Sequence, residues 1–213
     1  MVKDALNFNE ALEHGLIKVG DNVLISNEAR FIPKEDDGRN HGTIIIGNNS
    51  IIRAGSIICS GVKIGENTII GHETVIRVRA SIGNQCVISH FVCLERDSIV
   101  GNNVRISALT HITGGCVIGD NVQIGARVVT VNDNEMRWRK GEVLKAAQIK
   151  SGARIGSGCT LLGHVCIEKD AFIGAGSVVT RNIPANSLAY GNPAYVQGER
   201  PAGDWQAGAS KLN

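Results

Sequence analysis

Aromatic side chains are almost missing from this sequence: four Phe, two Trp and two Tyr in 213 residues. Large rings usually fill a deep core, so their scarcity points to a thin interior packed with smaller groups. Long apolar runs are missing too. No stretch approaches the roughly 20 residues of a membrane span, and residues 1–24 lack the apolar segment of a signal peptide. A cytoplasmic protein with no membrane partner is expected. Neither sign of charge dominates: 22 Lys and Arg stand intermixed with 20 Asp and Glu, a net charge of +2. That balance carries no phosphate-backbone footprint, so nucleic acid is not an expected partner. The six cysteines include no C-x-x-C pair. They are expected to be free thiols serving as small hydrophobes in a reducing compartment.

What the chain does have is Ile, Val and 26 Gly, set out with a period. Every sixth residue from Ile46 to Ile124 is Ile, Leu or Val, fourteen positions without a miss. Two residues before each anchor comes a small or β-branched residue, as at Ser50, Ser56, Thr68, Thr74, Cys86, Thr110 and Cys116. Gly often follows the anchor, as at Gly47, Gly65, Gly71 and Gly83. A period of six suits neither an amphipathic helix nor a two-faced strand. It suits a short strand ending in a tight turn, repeated, with the anchor and small residue inward and the Gly relieving the bend. Each unit buries its apolar face only against its neighbours, so the array is the stable object.

Residues 1–16 read as an N-terminal cap with a short helix over Asn9–Gly15, begun by Asn7 or Asn9 and closing the open end of the array. Repeats occupy 17–196, interrupted by polar excursions at 32–42 and 131–150. The second excursion carries Trp138 among Arg137, Arg139 and Lys140. Residues 197–213 read as a loose tail.

The repeat resembles the hexapeptide-repeat acyltransferase superfamily. The run 172–194, with Ile173-Gly-Ala-Gly-Ser-Val-Val-Thr-Arg181 and Gly191-Asn-Pro-Ala194, looks like that family's terminal signature, with Arg181 where Lys is commoner. Around the second excursion, Thr130-Val131-Asn132-Asp133 is similar to the Thr-Asn-Asp motif of N-acyltransferases acting on nucleotide-linked amino sugars, with one Val inserted. The resemblance implies an all-β, left-handed parallel β-helix of triangular section, 18 residues per coil. It implies a homotrimer that binds acetyl-CoA as acyl donor and a nucleotide sugar as acceptor in grooves between subunits, with no metal expected.

Acyl transfer from a thioester needs a deprotonated nucleophile, a base and donors for the oxyanion. Histidine is the natural base near neutral pH. His72 and His90 share one hexad phase, 18 residues apart, and should stack at one corner; the family's catalytic His sits in the phase of His90. His111 has another phase and lies nearer the second excursion. These three are the base candidates. The resemblance places Gly156, Gly174 and Ala175 along the pantetheine arm, Thr180 and Arg181 near the nucleotide end of the donor, and Asn132, Asp133 and Trp138 toward the acceptor. The favoured activity is N-acetylation of an amino sugar on a nucleotide carrier for surface polysaccharide. Sugar O-acetylation, a γ-carbonic-anhydrase-like metalloenzyme and a non-catalytic nucleotide-sugar-binding protein are the alternatives.

Overall fold

The computed structural model describes residues 5–34, 38–136 and 144–203. Its strands, mostly two or three residues long, form three parallel sheets of eight, ten and eight strands. Successive strands fall on successive sheets, so the chain winds round a three-sided prism. The pairing fixes the coil: Ile46 lies against Ile64 on the first face, Ile52 against Ile70 on the second and Ile58 against Ile76 on the third. Each step is three hexads. The anchors from Ile46 to Ile124 are buried, stacked in columns along the axis.

The small inward residues carry a polar duty. Ser50, Thr68, Cys86 and Thr110 each donate from the side chain to the carbonyl of the corner Gly on the next coil: Gly65, Gly83, Gly101 and Gly125, at 2.8–3.1 Å. This satisfies buried carbonyls that the parallel ladder leaves over.

The glycines after the anchors act differently from the sequence expectation. They do not hold the left-handed turn conformation. That falls two residues later, on Asn49, Asn67, Glu73, Gln85, Phe91 and Asn103, with φ between 53° and 56°, and on equivalents such as Asn121 and Arg127. The corner Gly is required by close stacking: a Cβ on Gly71 would sit 2.5 Å from the Ser89 carbonyl carbon and 2.6 Å from the His90 nitrogen. Along the corner between the first and second faces, Asn84, Asn102 and Asp120 side chains accept from the backbone N–H of Glu66, Asn84 and Asn102.

Helix α1 (Phe8–Glu13) closes the first coil. Asn7, rather than Asn9, is its N-cap, in a reciprocal box with Glu10. Phe8 packs on Phe31, ring centroids 6.3 Å apart, and Leu6 pairs with Phe31. At the other end the strand Ser187–Gly191 joins the second face and carries an antiparallel partner, Ala194–Glu199. Residues 197–199 therefore continue a strand and do not begin a loose tail. Only Ala194 of that strand is buried, so pairing holds it and no apolar alternation announces it. No helix among the described residues is long and apolar enough to cross a membrane.

Both excursions leave from one corner. The first follows Ile32 on the third face and returns at Ile44 on the first; the second follows Thr130 on the third and returns at Gln148 on the first. The described roots of both excursions thus lie along one edge.

Candidate active site

The third face ends at that edge. Its outward residues are set by register: Val75, Cys93, His111 and Val129 follow one another up the face. His111 and Val129 open onto a groove of about 360 Å³ whose other walls include Thr113, Asn132, Asp133, Met136 and Leu144. The root of the second excursion forms one side of this groove and is tied down above and below. The Asn132 side chain donates to the Gly114 carbonyl at 3.0 Å, one coil earlier. The Asn134 side chain both accepts from the Gly163 N–H at 2.7 Å and donates to its carbonyl at 3.1 Å, one coil later. Asp133 accepts from the Glu135 N–H at 3.2 Å, turning the chain outward. His111, Asn132 and Asp133, singled out separately in sequence, therefore meet at one place.

His72 and His90 do stack at one corner, between the second and third faces: the Phe91 N–H donates to the His72 carbonyl at 2.9 Å. Both side chains are exposed. His90 Nδ1 lies 3.2 Å from Ser89 Oγ, its ring edge-on to Phe91. His72 borders a separate groove of about 490 Å³ beside α1, with Leu24, Ile51 and Arg53. Gly156, Gly174 and Ala175 lie farther along the His72–His90 corner. The N–H groups of Gly156 and Gly174 are committed to the Ile173 and Ala189 carbonyls at 2.8 and 2.9 Å. Neither can serve an oxyanion. Ala175 is exposed at the turn. Thr180 and Arg181 sit at the edge of the excursions, and the Arg181 guanidinium lies 4.6 Å over the Tyr195 ring. Trp138 and its basic neighbours lie outside the described residues.

Two groups beside His111 escaped the sequence reading. Cys93 is its ladder partner, and Glu95, two residues on, faces the same way; the ligating atoms of Cys93, Glu95 and His111 lie within 4.8 Å of one another. Arg77 Nη1 donates to Glu95 Oε2 at 3.2 Å, while the other oxygen, Oε1, lies 3.8 Å from Cys93 Sγ. Burial and the adjacent carboxylate push the Cys93 thiol up to about 11. The 18-residue coil and the alternation of strand side chains were the signal that would have found this trio. All six cysteines are free.

A prism wound from hexads, three to the coil, defines a class: the hexapeptide β-helices. Residues 146–181 match the family model described as bacterial transferase hexapeptide (six repeats), and residues 40–138 match the GMPPB C-terminal domain. Both matched segments lie on the prism, and along them the chain is similar to hexapeptide-repeat transferases. Among curated relatives it is 50% identical over 50 residues to a dTDP-3-amino-3,6-dideoxy-alpha-D-galactopyranose 3-N-acetyltransferase of Aneurinibacillus thermoaerophilus, covering 24% of this chain and 26% of that one. It is 38% identical over 63 residues to a galactoside O-acetyltransferase of Lactococcus lactis, covering 30% of each. The chain thus spans under a third of the length of these relatives. Among solved structures it resembles an Arabidopsis UDP-N-acetylglucosamine acyltransferase, with a TM-score of 0.69 at 20% identity over 86% of this chain and 64% of that one. It also resembles the polySia-specific acetyltransferase NeuO, with a TM-score of 0.52 at 17% identity over 86% and 87%. These neighbours share the left-handed parallel β-helix, and that is the fold here.

Proposed function

We propose that this protein is an acetyl-CoA-dependent acyltransferase that N-acetylates an amino sugar carried on a nucleotide, and that it works as a homotrimer. The observation that carries the reading is the meeting of His111 with Asn132 and Asp133 in the groove under the second excursion. The stretch at 50% identity to a dTDP-amino-sugar N-acetyltransferase supports the acceptor class. The groove in one chain, at about 360 Å³, is at the small end of ligand sites, which suits a cleft widened by a neighbouring subunit.

In this reading the neutral amine attacks the thioester carbonyl. The new C–N bond gives a tetrahedral oxyanion, the ammonium proton passes to His111, and collapse breaks the C–S bond as the departing thiolate takes that proton back from His111. Asn132 and Asp133 border the acceptor. The donor's arm runs past Ala175, whose neighbours Gly156 and Gly174 keep the corner low enough for close approach. Arg181 meets phosphate at the nucleotide end. An acceptor for surface polysaccharide fits this chemistry, and a sugar hydroxyl is the nearest variant acceptor.

The test is a panel of nucleotide-linked amino sugars and hydroxyl sugars with acetyl-CoA, read by release of free thiol. Turnover with an amine acceptor is expected, and His111→Ala should lower kcat/KM by about 100-fold or more. His90→Ala and His72→Ala, measured alongside, should cost far less. Silence with every acceptor would remove the enzyme reading. A loss confined to His90→Ala would move the base to the other corner.

A further inference from the structure

We propose that Cys93, Glu95 and His111 form a binding site for a borderline-soft divalent cation of the Zn²⁺ class on the third face. The trio is a product of the helix itself. Cys93 and His111 are direct partners on neighbouring rungs of a parallel ladder, so their Cβ atoms are held one strand spacing apart, about 4.8 Å. Glu95 follows Cys93 by two residues and projects from the same side of the sheet. Their ligating atoms already lie within 4.8 Å of one another. A tetrahedral zinc, with bonds of about 2.0–2.3 Å, sets its ligands roughly 3.3–3.8 Å apart, so side-chain rotation of about an ångström closes the set without moving the backbone.

The donor types select the ion. Thiolate, imidazole and carboxylate together suit Zn²⁺, and a thiolate is a poor ligand for Mg²⁺ or Ca²⁺. Three protein ligands leave the fourth tetrahedral position for water or another ligand. Arg77 supplies an outer partner: it holds Glu95 Oε2 at 3.2 Å and leaves Oε1 on the side of the thiol. Carboxylate ligands are commonly fixed by such a second hydrogen bond. The molecule also contains its own control. Cys166 and Glu168 repeat the Cys-x-Glu pair on the first face, with Sγ 3.2 Å from Oε1. The ladder partner of Cys166 is Gln148, which leaves that pair without an imidazole.

An imidazole nitrogen that binds the ion cannot also take a proton, so metal binding and the base role proposed for His111 are alternative states of one residue. The proposal does not rest on the transferase reading, because its readout is spectroscopic. Co²⁺ would be added to metal-free, full-length protein and followed by absorption. The expected result is one equivalent per chain, with a thiolate-to-cobalt band in the near ultraviolet and the visible bands of a tetrahedral ion, displaced by Zn²⁺. Cys93→Ser should abolish the near-ultraviolet band. His111→Ala and Glu95→Gln should each weaken binding by at least about 10-fold. Cys166→Ser should leave spectrum and stoichiometry intact, and thermal melting of each variant would show that the fold is kept. Absence of a charge-transfer band at stoichiometric Co²⁺, its persistence in Cys93→Ser, or its loss in Cys166→Ser would overturn the assignment.

Discussion

Cys86, Cys116 and Cys159 occupy inward positions that other coils give to Ser and Thr, and their thiols are fully buried. Burial pushes Cys86 up to about 11 and Cys116 up to about 12, from an ordinary value of 9.0. A thiol that resists ionisation when folded stabilises the native state fully below its unfolded pKa. That contribution drains away as pH rises from 9 toward the folded values. Alkaline conditions should therefore unfold the helix by drawing these protons off. The urea midpoint is expected to fall between about pH 8 and about pH 10. Cys86→Ser separates the two roles of this residue. Its thiol donates to the Gly101 carbonyl at 3.1 Å, as the Ser50 hydroxyl does to Gly65 at 2.8 Å. The serine should be tolerated near neutral pH to within about 1 kcal/mol and should flatten the alkaline decline. A variant that unfolds at neutral pH, or declines as steeply as the parent, would show that packing rather than protonation governs this column.

The elements differ in how plainly the sequence announced them. A strand of two residues has no propensity signal of its own, yet the hexad beat placed nearly all of them, because every rung repeats the same steric problem. Gln148–Ile149, read as part of the excursion 131–150, is instead a rung of the first face, and the interrupted phase hid it. The stacking of His72 on His90 followed from 18-residue arithmetic. The role of the corner glycines did not, since close approach of the next coil is a property of the stack and leaves no mark on one repeat. The groove was half legible. His111 and Asn132 were each visible as candidates, but their meeting depends on where the excursion re-enters the prism, which Asn134 helps to fix. Asn134→Ala removes both partners from the Gly163 peptide. Because the residue is exposed, its melting temperature should change little. The wall formed by Asp133 and Met136 should loosen, raising KM for the acceptor several-fold while KM for acetyl-CoA stays near its parent value. Equal effects on both substrates, or none, would mean that this anchor does not shape the acceptor side.

At the scale of the molecule, the prism leaves apolar side chains outside as well as in. Up the first face run Ile45, Lys63, Ser81, Ile99 and Val117, successive ladder partners. Ile45, Ile99 and Val117 are 43%, 48% and 38% exposed. The first face adjoins the edge that carries both excursions, so a neighbour packed on it would stand over the His111 groove. Aliphatic residues grouped on one face, beside a groove small for its proposed ligands, are what a shared seam requires. Light scattering of the full chain should give a mass about three times 22.6 kDa. Ile99→Lys with Val117→Lys places two charges on that column without touching the buried anchors Val100 and Ile118. The pair should yield monomers whose β-rich circular dichroism matches the parent and whose transferase activity is lost although His111 is intact. A double variant that stays trimeric would put the seam on another face. A parent protein that turns over at full rate as a monomer would mean that one prism alone completes the site.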